Sequence, residues 1–367
     1  MKKGWPTKPV GEVCPISSRK PNAFVGTRRY FSTGAVGSEG ELAEPELVDF
    51  ANRPSRAGCM PEVGDIGFAR MKGTKKVILI DESLKGALFS TGFCFLAPRP
   101  NVEPRFAFYF VTSDDFQDAK NGVAGDGIMG GIKNSDAAAI GMPLPPLAEQ
   151  QRIVGLLDEA FEGLATAKAN AEKNLQNARA LFEIHLQSVF TQRGPGWVET
   201  TIGDQLTLQR GFDITKVQQN TGEVPVVSSG GIKSYHDKAM AKGPGVVIGR
   251  KGTLGKVFYT ESDYWPHDTT LWVKDFKGNE PRFVYYLFAG LNVKKLDSGA
   301  ANPALNRNQV HPIEVTWPQV AQQKALVETL DALEEETQRL ARLYERKHAA
   351  LEALKKSLLH QAFTGAL

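Results

Sequence analysis

Residues 323–363 read QKALVETLDALEEETQRLARLYERKHAALEALKKSLLHQAF, without a glycine or proline. Leu326, Leu330, Leu333, Leu340, Tyr344, Leu351, Leu354 and Leu358 recur at alternating steps of four and three. That spacing puts one apolar stripe on a helix and favours a left-handed coiled coil. Thr337 and Lys347 fill the two remaining stations, and Gly365 follows where a helix stops. The same element occurs 173 residues earlier. There Ile153, Leu157, Ala160, Leu164, Ala167, Ala171, Ala178, Leu181 and Val189 fall on the stripe, with Asn174 and His185 as polar exceptions. Framing residues repeat without a gap: Pro145, Gln150, Leu157-Asp158 and Phe190-Thr191 match Pro318, Gln323, Leu330-Asp331 and Phe363-Thr364. An ungapped repeat of a long helix means duplication.

Working outward, a globular stretch of ordinary domain size precedes each helix. The chain divides into 1–145, a first helix 146–193, 194–318 and a second helix 319–367. The fold class expected is α+β: two β-rich domains separated by two long antiparallel coiled-coil helices. An antiparallel pairing sets Leu157 against Leu358, and a buried Leu354 would contribute several kcal/mol of packing. In the globular parts, 77–80, 93–96, 224–227, 246–248, 256–259 and 270–273 are strand-like runs bounded by turn residues. The aromatic run 282–291 reads as a short helix, and 105–111 as helix or strand. Beyond these, the two globular sequences hardly match.

Of 367 residues, 41% are apolar and 23% charged, ordinary for a soluble chain. No run approaches membrane-spanning length, and the basic start lacks the apolar segment of a secretory signal. Cys14, Cys59 and Cys94 show no C-x-x-C spacing, so free thiols in a reducing cytoplasm fit best. Net charge is +3, with 18 Lys+Arg against 16 Asp+Glu in 1–145 and 14 against 12 in 195–318. Such a balance permits a clustered basic face without demanding one.

Several motifs point away from catalysis. Gly125-x-Gly127-x-x-Gly130 has the letters of a dinucleotide fingerprint but neither the preceding strand nor the following helix, so it reads as a loop. Asn302-Pro303-Ala304-Leu305 lacks the aromatic that clamps a flipped base in amino-methyltransferases. No phosphate loop, nucleophile elbow or zinc spacing occurs. The sharpest motif outside the helices is 248–256, IGRKGTLGK, a strand running into a glycine turn. Arg250, Lys251, Thr253 and Lys256 there suit phosphate neutralisation or a guanine edge. Residues 67–76 repeat the order with Arg70, Lys72, Lys75 and Lys76. Asn302 and Asn306 are further candidates, since asparagine matches adenine's major-groove edge.

Together these motifs resemble the specificity subunit of type I restriction-modification systems, the HsdS family, over essentially the whole length. Residues 145–154, PPLAEQQRIV, with Leu157-Asp158, resemble the start of the family's conserved helix. Residues 318–324 with Leu330-Asp331, and the ending SLLHQAFTG at 357–365, resemble its second copy, with Gln322 for Glu149 and Ala325 for Arg152. Residues 248–255, 266–271 and 302–305 resemble target-recognition signatures. The resemblance implies a non-catalytic subunit whose two recognition domains bind an asymmetric bipartite site on double-stranded DNA. It further implies helices that scaffold two methyltransferase subunits and restriction/translocase subunits. S-adenosylmethionine, ATP and Mg then belong to those partners, with no cofactor or metal in this chain. Two other readings stand beside it: a coiled-coil protein with two modules for a non-DNA ligand, and the recognition part of a type II-like methyltransferase-nuclease.

Overall fold

The structure is a computed structural model describing residues 5–125, 130–191, 194–291 and 304–367. Its two compact units do not follow chain order: one comprises Met1–Ala171 with Arg346–Leu367, the other Glu172–Glu345.

In the first unit the order is β1 (Thr7–Pro9), α1 (Val10–Val13), β2 (Ile16–Ser17), β3 (Thr27–Phe31), β4 (Glu46–Asp49), β5 (Ile66–Ala69), β6 (Val77–Leu79), β7 (Leu88–Phe89) and β8 (Phe93–Leu96). Then come α2 (Pro104–Thr112), α3 (Asp114–Val123), α4 (Asn134–Ala139), β9 (Gly141–Pro143) and the long α5 (Leu147–Thr191). Strands form one sheet ordered β2-β8-β5-β6, a second ordered β4-β3-β7, and the ribbon β1-β9. β5 is buried along its whole length. Gly67 belongs there because a Cβ would fall 2.5 Å from the Phe95 ring. Phe68, Leu96, Phe106, Phe110 and Phe116 make the core beneath α2. The run 105–111 is therefore helix, with Pro104 in the first turn, where its missing N–H costs nothing.

The second unit holds β10 (Val198–Thr201), α6 (Ile202–Gln205), β11 (Thr207–Arg210), β12 (Val224–Ser228), β13 (Gly231–His236), β14 (Gly245–Gly249), β15 (Val257–Thr260), β16 (Trp265–Pro266) and β17 (Thr270–Asp275). It continues with α7 (Pro281–Gly290), α8 (Arg307–Val310), β18 (Glu314–Trp317) and α9 (Val320–Thr364). Its sheets are β11-β17-β14-β15, β13-β12-β16 and β10-β18. Every strand has its counterpart in the first unit, down to the single parallel pair in each smaller sheet, β3 with β7 and β12 with β16. The two sequences thus hide one topology. The first core is rich in phenylalanine, whereas Val246, Ile248, Leu271 and Val273 fill the second sheet. Cores keep a fold while apolar side chains exchange.

Each module is clamped to the start of the helix that follows it. The buried Gln150 donates through Nε2 to Pro145 O (2.9 Å) and Asn101 O (3.1 Å) and accepts from Glu103 N (2.9 Å). Gln323 repeats this with Pro318 O (3.0 Å), Asn279 Oδ1 (2.8 Å) and Glu280 N (2.9 Å). Two turns further on, Asp158 accepts from Arg105 (2.7 Å) and Tyr109. Asp331 accepts from Arg282 (2.9 Å) and Tyr286. Burial, reinforced by the Asp158 carboxylate, pushes the Tyr109 phenol up to about 12. The repeat's framing residues are therefore the clamp itself.

Within each unit the helices run antiparallel. Leu157 and Leu358 share the first unit's core, and Lys168 pairs with Glu352 at 2.7 Å. In the second unit Leu186 packs with Leu330, and Arg179 pairs with Glu345 at 2.7 Å. Ile153, Leu157 and Leu330 are buried, and Leu164, Leu326, Leu340, Leu351 and Leu358 partly so. Leu181 and Leu354 depart from expectation, being 50% and 46% exposed. After Tyr344 the covered positions include His348, Leu351, Glu352, Lys355, Leu358, Leu359 and Ala362. In the other helix they include Ala171, Asn174, Leu175, Ala178, Phe182, His185, Leu186 and Val189. Of the heptad stations, Leu181, Lys347 and Leu354 alone are exposed, so the coiled-coil spacing holds over most of both helices.

Candidate nucleic-acid interface

In the second unit, β14 ends at Gly249, where any Cβ would fall 2.0 Å from Thr253 O. The turn then reverses through Gly252 and Gly255, both at positive φ (77° and 74°), a conformation glycine adopts freely. Arg250 N and Lys251 N both donate to Thr269 O (2.8 and 3.1 Å), and Gly255 N closes the turn on Gly249 O (2.8 Å). These bonds pin the turn while Lys251, Thr253 and Lys256 stay exposed. Lys256 Nζ stands 5.2 Å over the Phe258 ring. Asn306 is exposed, and its side chain accepts from Asn308 N (3.1 Å), capping α8. Asn302 lies outside the described residues, as does Gly127 of the glycine run.

Beside this turn is a cleft of about 680 Å³ whose walls include Arg210, Phe212, Asp213, Arg250, Asn306 and Arg307. Two of its arginines meet Asp268: Arg210 pairs with it at 3.1 Å, and Arg250 Nη1 reaches Asp268 O at 3.5 Å. Burial, then the like charge of Arg210, lowers the Arg250 pKa, while Asp268 opposes this. Asp213, His267 and Asp268 bring one ligand atom each within 4.8 Å of the others. Arg210 already engages the Asp268 carboxylate there, and His267 Nδ1 accepts from Thr269 N (3.3 Å).

The first unit has the same frame. Ala69 faces Phe93 across the ladder as Gly249 faces Thr270, so Arg70 and Arg250 occupy equivalent places. Arg70 N donates to Gly92 O, and Ile132 N to Arg70 O, both at 2.9 Å, the counterparts of Thr269 and Leu305 around Arg250. Here, though, the guanidinium turns inward: Nε donates to Phe93 O (3.0 Å) and Nη1 to Ile132 O (3.3 Å). Lys75 pairs with Asp114 at 3.4 Å, and Lys76 Nζ donates to Val36 O at 2.6 Å. Lys72 is exposed, and its backbone N–H donates to Gly130 O (2.9 Å). Gly73, at φ 70°, donates its N–H to Asn121 Oδ1 (2.9 Å). Helix α3 also supplies Lys120, fully buried, whose Nζ donates to Thr74 O (2.6 Å). Burial lowers its pKa to about 8.

Sequence reasoning singled out the two glycine turns and the run 266–271 that holds Asp268, but missed Arg210, Arg307 and Lys120. An arginine closing a strand carries no local signal, and its carboxylate partner lies 58 residues away. Burial pushes the Cys14 thiol to about 12 and that of Cys94 to about 11, so both stay protonated and unreactive at neutral pH. Among the described residues no helix is long and apolar enough to cross a membrane.

Residues 195–345 match the model of the type I restriction modification DNA specificity domain. A solved structure concerned with complex assembly and conformational transition of the type I R-M system superposes with a TM-score of 0.88 at 21% identity, over 99% of this chain and 98% of that one. The HsdS subunit from Thermoanaerobacter tengcongensis gives a TM-score of 0.68 at 22% identity, over 100% and 98% of the two chains. At such identities these likenesses concern the fold. No curated protein matches the sequence.

Proposed function

We propose, on the match of residues 195–345 to the type I restriction modification DNA specificity domain, that the chain is a specificity subunit of that family and reads an asymmetric bipartite DNA site, one half with each module. The observation that carries this reading is a shared frame with unshared side chains. Both units present a pinned glycine turn headed by an arginine, Arg70 or Arg250, yet the residues around it differ. Cationic turns suit phosphates and guanine edges, and different neighbours suit different half-sites.

In this reading the chain is not itself catalytic. The paired helices carry two methyltransferase subunits and the restriction/translocase subunits, which bring S-adenosylmethionine, ATP and Mg. The complex works in the cytoplasm, where the three thiols stay reduced. Lys251 and Lys256 contact phosphates, with Thr253 hydrogen-bonding alongside. Lys72, Lys75 and Lys76 serve the first half-site in the same way. Asn306, and Asn302 near it in sequence, supply adenine contacts.

The test is the adenine-methylation motif of cells carrying this subunit with its methyltransferase, together with duplex binding at rising salt. A gapped motif with two unlike halves is expected. Binding should weaken steeply with salt as phosphate contacts are lost. A gapless or perfectly palindromic motif overturns the bipartite reading, and salt-insensitive binding overturns DNA recognition.

A further inference from the structure

The cleft of the second unit holds two arginines around a single carboxylate. Arg210 closes β11 and lies opposite Leu271 of β17. Its side chain is 57% exposed and touches Asp268 through one nitrogen, Nη2 at 3.1 Å. Asp268 is itself largely covered, at 20% side-chain exposure. A guanidinium has five donors in a planar fork. One is held by Asp268, and on a side chain this exposed the others stay accessible to a ligand at the cleft. Holding one corner also removes much of the rotamer freedom that binding must otherwise freeze. Arg250 stands across the same carboxylate, more covered, with Nη1 on the backbone carbonyl of Asp268. Arg307 joins them on the cleft wall, against the single further carboxylate of Asp213. Among the described residues the cleft and Asp268 thus bring three guanidinium groups against two carboxylates, an excess of positive charge.

The first unit has no such device. Strand register equates Ser17 with Gln209, each opposite the same position of the neighbouring strand, so Ser18 stands where Arg210 does. Likewise Thr91 takes the place of Asp268. The turn geometry is kept without the charges: Gly92 N donates to Ser90 Oγ (3.1 Å), as Thr269 N donates to His267 Nδ1 (3.3 Å). The fold therefore does not require the Arg–Asp pair.

From this we infer that Arg210, oriented by Asp268, is a specificity-determining residue of the second module, reading the O6/N7 edge of one guanine in its half-site. Arg250 holds the turn and the phosphate backbone beside it. The inference rests on the DNA-reading function proposed above and assigns one base of one half-site to one side chain.

The test uses the full-length chain assembled with its methyltransferase subunits and a fully randomised duplex library. Wild type, Arg210→Ala, Arg210→Lys, Asp268→Asn and the double variant Arg210→Ala/Asp268→Asn are carried through the same selection. Arg210→Ala is expected to turn one G·C position of one half-site degenerate, with discrimination there falling about ten- to a hundredfold. Every letter of the other half-site stays. Arg210→Lys keeps the charge, loses the fork and relaxes the same position. Asp268→Asn relaxes it less, and the double variant is no more relaxed than Arg210→Ala alone. An unchanged motif with Arg210→Ala, or uniform weakening on all sequences, overturns the assignment. A wild-type complex that selects no motif overturns the DNA-reading function along with it. Thermal melting checks that each variant is folded; Asp268→Asn, which keeps shape and removes charge, carries the test should Arg210→Ala melt early.

Discussion

The two modules share every strand and both smaller-sheet parallel pairs, yet they treat their leading arginine differently. Arg70 spends its guanidinium on the carbonyls of Phe93 and Ile132. Arg250 leaves most of its own at a cleft shared with Arg210 and Arg307. The glycine turn of the first module is gripped by α3 through Asp114, Lys120 and Asn121. That of the second is held by its own backbone and Thr269. A recognition frame can thus stay fixed while the means of holding its turn, and the charges it offers, change.

The largest expected effect sharpens the likeness. Leu157→Ala and Leu330→Ala, at 1% and 0% exposure, should each destabilise by about 2–5 kcal/mol in denaturant titrations. Leu181→Ala and Leu354→Ala, at 50% and 46% exposure, should each cost less than about 1 kcal/mol. Equal losses at all four would restore the strict heptad. Next, Gln150→Leu and Gln323→Leu each strand a buried N–H and carbonyls, costing about 1–3 kcal/mol per clamp. A neutral result in one module would show that its clamp is dispensable.

The pH prediction breaks the likeness, because Lys120 belongs to the first module. Its folded pKa, about 8, lies below the ordinary value of 10.5. Between those values the unfolded chain binds more protons, so stability rises with pH there, and below about 8 the full penalty applies. Lys120→Met should flatten that rise in melting curves. An unaltered slope would mean the amine is solvated. The smallest effect concerns the leading arginines. Arg70→Ala should cost about 1–2 kcal/mol of stability through its two carbonyl partners. Arg250→Ala should cost less stability yet weaken duplex binding on all sequences and reduce the salt slope by about one. The reverse pattern would exchange their roles.

The helices were legible because duplication writes itself in identical spacing, and the glycine turns because strand, cation and glycine are adjacent in sequence. The shared topology was not legible. Phe68, Phe93 and Phe95 in one module stand where Ile248, Thr270 and Trp272 stand in the other, and only backbone pairing equates them. Leu181 and Leu354 misled because an apolar letter at a heptad station does not by itself say what covers it. Asp268 lay within the signature run 266–271, but its pairing with Arg210 escaped notice because their meeting depends on β11 lying beside β17. Helix α3 was hidden by few apolar residues and the glycines at its end.

The buried glutamines have a kinetic consequence. Gln150 ties the first turn of α5 to the loop before α2, and Gln323 ties α9 to the loop before α7. Neither helix start can fray without opening the base of its module, so the two should exchange amide hydrogens as one cooperative unit, slowly. The recognition turns, pinned by a few exposed bonds, belong to a faster class of opening. Each module would then sample side-chain and loop arrangements on a duplex while its foundation stays shut.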